Sequence, residues 1–387
     1  MAVTLPSRRN RKDSFCEVLS TLDFNSIPTR VEKFPNFREP REIGHFSLVG
    51  LNPDYVGSDV QLKHLYMPAF RHRLKWDLDS GYDTAIRKDV NRNVKLDNLL
   101  IWISKNREKF ATRSPKGELL TSESLHTDFI CYRGTLTKVL CTPYEAREDW
   151  LIGATKYKDT IYLCHYNTER DRERQINMSA KDERMGYWGY KFEQYMVTDE
   201  PGKPPDTEAV VNEREEYCSV VRTRLNTHSL VFGAEVDGQD PELMRKSKSS
   251  NSTSHYIELK TSKLCLSEKQ HWNFCKYKLI KWWAQSFLIG IPRVICGFRD
   301  DDGVVCTLQD FKVREMPHLA KDYWSGAVCM NFCDMFLSFV KKMVIRDDPT
   351  IVYLFQLFPK EEVQCTLLEN PGDYRLLPDW YLKQPHQ

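Results

Sequence analysis

No stretch of the 387 residues approaches the ~18 consecutive apolar positions of a membrane-spanning helix. The opening MAVTLPSRRNRKDSF likewise has no apolar core of signal-peptide length. A membrane or secreted protein is therefore not expected. The twelve cysteines are scattered without a C-x-x-C pair, which argues against a zinc site or a disulfide framework and fits a reducing compartment. Net charge is also nearly missing. The 56 basic and 54 acidic side chains leave a formal +2, so a polyanionic partner would have to be held by a local patch. No repeat of solenoid or propeller period and no Pro/Gly/Ser linker divides the chain. With 41% hydrophobic residues it can bury a large core, and one domain over residues 21–387 is expected. It follows a basic, flexible tail (1–20) whose Arg8, Arg9, Arg11 and Lys12 are a nuclear-import or RNA-binding cluster or simply a solvated end.

What is present is a mixture of strand and helix patterns. HFSLVG reads as a strand and VKLDNLLIWISKNREKF (94–110) as an amphipathic helix. LHTDFICYRGTLTKVLCTPY (125–144) reads as a hairpin or long strand pair, and 149–167 continues in that style. The charged run from Asn167 to Met185 is a loop or solvated helix, and 186–199 has helical spacing. Residues 216–238 form two strands turning at Asn226-Thr227-His228, and 239–254 a polar surface loop. A long helix follows over 268–290, ended by Gly290 and Pro292, then a hairpin turning at Asp302-Gly303. VCMNFCDMFLSFV is an apolar helix in which Cys329 and Cys333 are core residues. This order of elements predicts an α+β fold with a mixed, largely antiparallel sheet flanked by helices.

Within it, GAEVDG (233–238) places two acids, and HYIELKTSK (255–263) an acid and a lysine, two apart in runs that otherwise read as buried strand. Side chains at i and i+2 share one face, so Glu235 aligns with Asp237 and Glu258 with Lys260. If the strands are neighbours, three carboxylates converge, at a cost that burial increases. Hard divalent cations such as magnesium or manganese would resolve the repulsion. Two ions about 3.5–4 Å apart could clamp the attacking and leaving oxygens of a phosphoryl displacement. A metal-free ion-pair network would need cations near the acids beyond Lys260, and these segments do not supply them.

D-(x)n-E-x-K is the skeleton of the PD-(D/E)XK nucleases. Together with CYRGTLTKVLCTPYE, MGYWGYKFEQYM and LIKWWAQSFLIGIP, in this order and spacing, the chain resembles the DXO family of RNA 5′-end decapping nucleases, from EIGHFSL to LPDWYL. The resemblance implies a PD-(D/E)XK-like single domain in which Glu193, Asp237, Glu258 and the Leu259 carbonyl hold metal and Glu235 helps hold a second ion. It further implies that Lys260 and Gln285 contact the scissile phosphate and attacking water, while Arg133 supports the acidic cluster and the 5′ end. Trp282 and Trp283 remain core residues on this reading. Tyr132 stands where relatives often have Trp, and the 239–254 loop departs from theirs.

The implied activity is hydrolysis with magnesium or manganese, at two ions, on RNA 5′ ends that are capped, NAD-capped, triphosphate or monophosphate. Incomplete or non-canonical caps would be removed and the strand degraded 5′→3′ in RNA quality control, in the nucleus or cytoplasm. A monomer is expected, with a 5′→3′ exoribonuclease as a conceivable partner and no membrane. The alternative is a catalytically silent RNA-end-binding or exonuclease-partner protein, which the retained acidic motifs oppose. A DNA nuclease on the same core is a further rival.

Overall fold

A computed structural model describes residues 18–23, 33–89, 95–113, 119–120, 124–246, 249–359 and 361–383. Two sheets carry the architecture. The larger has ten strands, with Phe129–Tyr132 (β1) and His228–Glu235 (β3) side by side and parallel. Glu216–Leu225 (β2) runs antiparallel to β3. The smaller sheet has seven strands. In it Gly238–Gln239 (β4) pairs antiparallel with Tyr256–Lys263 (β5), and β5 runs parallel to Arg293–Arg299 (β6). The expected hairpin turns back through Gly303, at φ 87°, into Val304–Lys312. The result is the mixed α+β fold read from the sequence, with parallel pairs at the centre of each sheet.

Both faces of β1 and β3 are covered along most of their length, as apolar runs without alternation require. Helices α1 (Arg133–Cys141), α3 (Leu279–Ile289) and α4 (Gly326–Met343) supply one cover. Leu136, Leu140, Trp283, Leu288, Phe332 and Phe336 join Phe232 in the same buried cluster. Trp282 and Trp283 are core residues as expected, and so are Cys329 and Cys333.

Three expectations need correction, and the charged run, read as loop or solvated helix, proves to be the helix. Residues 125–144 do not form a hairpin: β1 runs directly into α1. Leu136, Val139 and Leu140 are buried at helical spacing, and packing against the other helices overrides the β-propensity of the valine and threonines. The charged run is largely helical, over Glu169–Ile176 and into α2 (Ala180–Met196). Thr168 and Ser179 cap these helices by accepting backbone N–H bonds from Asp171 and Asp182. The helix 268–290 is interrupted by a π turn at Phe274–Lys278. Finally, Val18–Leu22 pairs with Val363–Leu368 at the edge of the large sheet, so the flexible tail cannot extend through residue 20. The basic cluster at 8–12 lies outside the described residues.

The described residues of the 239–254 segment are more ordered than a loop of variable shape. Asp240, buried, accepts the Glu242 N–H at 2.8 Å and pairs with Arg293 at 3.1 Å, starting the short helix Pro241–Lys246. Among the described residues, no helix is long and apolar enough to cross a membrane.

Candidate active site

Three approaches deliver the site. In the large sheet Gly233 lies opposite Tyr132, so the carboxyl ends of β1 and β3 present Arg133 and Glu235 at the same edge. A Cβ on Gly233 would stand 2.9 Å from the Tyr132 ring; glycine gives that ring its place. After Glu235 the chain leaves the large sheet through buried Val236 and enters the small one at Gly238. Asp237 occupies the crossing. The acidic strands β3 and β5 are therefore not neighbours within one sheet, contrary to the simplest reading of their pattern. The sheets meet end to side, and the Asp237 carboxylate accepts the Leu259 N–H at 2.6 Å. The third approach is α2, which brings Glu193. Its Phe192, fully buried, packs over Gly297 of β6, where a Cβ would come within 2.4 Å of the ring.

The charges at this junction are unequally balanced. Glu258, only 1% exposed, accepts from Arg133 Nη1 at 3.0 Å and from Lys260 Nζ at 2.5 Å. Burial works against its ionisation, but Arg133 and then Lys260 hold its pKa below the ordinary value. Asp237 has no such partner. Burial first and the charge of Glu258 second push it from 3.8 up to about 7, against the opposing pull of Lys260 and the Leu259 N–H. Glu193 is driven well above the usual carboxylate range by burial, then by Asp237 and Glu235. Arg133 is buried and Lys260 partly so, yet the surrounding acids raise both.

The structure thus brings Arg133, Glu193, Glu235, Asp237, Glu258 and Lys260 into one electrostatic unit, and places the Leu259 backbone within it. It does not join Gln285 to them: partly buried on α3, that side chain makes no hydrogen bond to any of these residues. Nor do the lysines of its helix gather with it. Lys278 donates to Ser262 Oγ at 3.2 Å, and Lys281 faces Glu145 at 3.6 Å. Sequence reasoning missed Tyr190, Glu216 and Lys88, which adjoin Glu235 in space. Only the i, i+3 spacing of Tyr190 and Glu193 on α2 was available to suggest any of them.

The donors fit a hard divalent cation. They are carboxylates and a backbone carbonyl, with neither thiolate nor imidazole, and two of the acids carry raised pKa values that a cation would relieve. Among the described residues no three acidic, histidine or cysteine side chains already form a closed ligand set. Glu258 is instead turned to Arg133 and Lys260, so ion binding requires side-chain rearrangement at that carboxylate.

Comparison with known proteins places this geometry in context. Residues 38–382 match the family model described as RAI1 like PD-(D/E)XK nuclease. The chain is 40% identical over 357 residues to the decapping and exoribonuclease protein of Xenopus laevis, covering 90% of this chain and 86% of that one. It is 39% identical over 355 residues to the protein of that name from Homo sapiens, with the same coverage of 90% and 86%. A crystal structure of Scheffersomyces stipitis Rai1 in complex with 3′-NADP+ and a calcium ion superposes with a TM-score of 0.78 at 25% identity, over 92% of this chain and 96% of that one.

Proposed function

Because the chain belongs to the Rai1-like PD-(D/E)XK nuclease family, we propose that its acidic junction hydrolyses phosphate linkages at RNA 5′ ends. The protein is a hydrolase, a decapping enzyme and 5′→3′ exoribonuclease that works with a divalent cation. The observation that carries this reading is the uncompensated pair Glu193 and Asp237 beside a Glu258 already countered by two protein cations.

Glu193, Asp237, Glu258 and the Leu259 carbonyl are the residues that would hold metal, with Glu235 assisting at a second ion of magnesium or manganese. Bound metal supplies Lewis-acid stabilisation of phosphate charge and a more acidic water. Arg133 orients Glu258 through its 3.0 Å bond. Lys260, whose side chain is 25% exposed, can turn its ammonium from Glu258 toward a phosphate oxygen as negative charge grows there. Gln285 is assigned to the substrate phosphate or attacking water, and reaches it only after the RNA end has entered. The dinucleotide and calcium held by the yeast relative support caps of dinucleotide type, NAD among them. RNA 5′ ends as substrate put the work in the nucleus or cytoplasm. A monomeric working unit and an exoribonuclease partner belong to the same proposal, and sedimentation of the protein with and without such an enzyme reads both.

The test gives the purified protein one RNA sequence bearing 5′-monophosphate, triphosphate, unmethylated cap, NAD or hydroxyl, with magnesium, manganese or excess EDTA. Cleavage from the 5′ end that EDTA abolishes and either metal restores is expected. RNA binding without cleavage of any end would instead make the protein an end-binding factor.

A further inference from the structure

On the exposed side of Glu235 lies a cation that the acidic motifs do not include. Lys88 Nζ donates to Glu216 Oε2 at 2.9 Å, with the lysine side chain 49% and the glutamate 18% exposed. Glu216 stands two residues before Cys218, whose cross-strand partner is Glu235. Alternation therefore puts Glu216 on the Glu235 face of the sheet. Tyr190 of α2 ties the group to the acidic junction. Burial raises its pKa first, Glu235 adds to the rise, and Lys88 opposes it before Glu193 contributes. Lys88 itself feels burial, then Glu216, then Glu235, with a raised pKa as the outcome.

The backbone under Lys88 is fixed. Its N–H donates to Glu213 Oε2 at 3.0 Å, while Arg87 Nη1 donates to Glu213 Oε1 at 2.6 Å. Ile86 N–H bonds Val211 O, and Glu213 N–H bonds Ile86 O, each at 2.9 Å. The Arg87 guanidinium lies 4.2 Å from the Tyr82 ring centre. A buried acid thus secures a short strap whose next side chain reaches out to the rim of the acidic site. About half of the lysine side chain is open to solvent while Glu216 is largely covered, and the flexible ammonium can swing from the carboxylate to a phosphate oxygen presented at the rim.

We propose that Lys88 is a substrate-binding residue that contacts an RNA phosphate adjoining the scissile one, releasing Glu216 as it does so. This rests on the RNA 5′-end reading above. The competing role is purely structural, with Lys88 present to neutralise Glu216.

The test measures KM, kcat and the salt dependence of RNA affinity on a short 5′-phosphorylated oligouridylate. Turnover is followed with manganese and affinity with calcium, for the wild type, Lys88→Ala, Lys88→Arg and the double variant Lys88→Met/Glu216→Gln. Lys88→Ala should raise KM about tenfold with kcat within about twofold, and Lys88→Arg should recover most of the loss. The slope of log affinity against log salt should fall by about 0.7, the value for one lost single-strand phosphate contact. The double variant removes the charge that needed neutralising, yet should keep the raised KM and the reduced slope. A return of both to wild type in the double variant, or an unchanged slope in Lys88→Ala, overturns the proposal. Should Lys88→Ala fail to fold, the double variant still decides. A wild type that neither binds nor cleaves this RNA fails differently, because the parent reading then falls.

Discussion

Glu258 on the small sheet meets two protein cations, whereas Asp237 at the crossing and Glu193 on α2 have none to themselves. All three acids share one junction, but the protein pairs its cations directly with only one side of it. An ion-pair network maintained for stability would spread its cations over its acids. Here two converge on one carboxylate, and the deficit is confined to the other side. The imbalance marks where a further cation is required, and it makes the two sides distinguishable by experiment.

The largest effect is expected from breaking the balanced side. Glu258→Ala leaves the buried Arg133 and the partly buried Lys260 without their acceptor, and removing one partner of a buried pair costs about 3–5 kcal/mol. Its metal-free melting temperature should fall, and turnover should be lost. This differs from the expectation drawn from acidic repulsion alone, in which loss of any of these acids would leave the metal-free protein as stable or more so. A Glu258→Ala protein that melts like the wild type would show that the cations do not depend on Glu258, and the contrast between the two sides would collapse.

That revision shows where the sequence was legible. Period-two acids in apolar strands identified Glu235, Asp237, Glu258 and Lys260, because alternation is local and survives whatever the strands pair with. The family resemblance added Glu193, Arg133, Gln285 and Leu259. What local pattern could not convey was that β3 and β5 belong to different sheets, or that Arg133 arrives at Glu258 from a helix 125 residues earlier. The same limit hid Lys88, whose approach to Glu216 depends on backbone pairing between 86 and 211–213. Segment 125–144 failed for a different reason: Thr135, Thr137 and Val139 alternate as in a strand while Leu136, Val139 and Leu140 fall at helical spacing, and only packing decides between the two.

Lys260 gives the next effect, because it serves Glu258 at rest and a phosphate during turnover. Lys260→Ala should lower kcat about a hundredfold, or ~3 kcal/mol, with a smaller loss of RNA affinity. Gln285→Ala, a neutral amide with no bond to the acids, should cost less. Arg133→Ala should weaken affinity as well as rate if the arginine also meets the 5′ end. Should Lys260→Ala keep kcat while losing affinity in proportion to kcat/KM, the lysine would be a ground-state anchor.

The unbalanced side should respond in the opposite sense to Glu258. Asp237 is raised from 3.8 to about 7 in the folded protein, so the native state binds a proton that the unfolded chain has released. Stability from this group is fully present below 3.8 and is lost as pH rises through about 7. Asp237→Asn keeps an oxygen for the Leu259 N–H and removes the charge. Above pH ~7 its metal-free form should exceed the wild type by on the order of 1–3 kcal/mol, while its turnover is lost. Denaturant unfolding at several pH values checks this, and a variant less stable than the wild type above pH ~7 would make Asp237 a structural acid.

The smallest effect tests the contrast most directly, by asking whether a cation goes to the unbalanced side. A metal must meet carboxylate, not carboxylic acid, so below the Asp237 pKa of about 7 binding has to displace a proton. Each pH unit further down should then weaken apparent affinity about tenfold, ~1.4 kcal/mol, until the metal-bound form itself takes up the proton. Calcium serves as the probe, and its stabilisation reads affinity through the rise in melting temperature. That rise should be clear near pH ~8 and should shrink steadily below pH ~7. In Asp237→Asn it should be smaller throughout and less steep, because Glu193 is then the one of the two raised acids left to titrate. Lys88→Ala, altered at the rim, should retain the wild-type slope. A calcium effect equally large at pH ~8 and pH ~6 in the wild type would mean that no proton is displaced. The cation would then be binding elsewhere, and the deficit of charge at Asp237 would not be what attracts it.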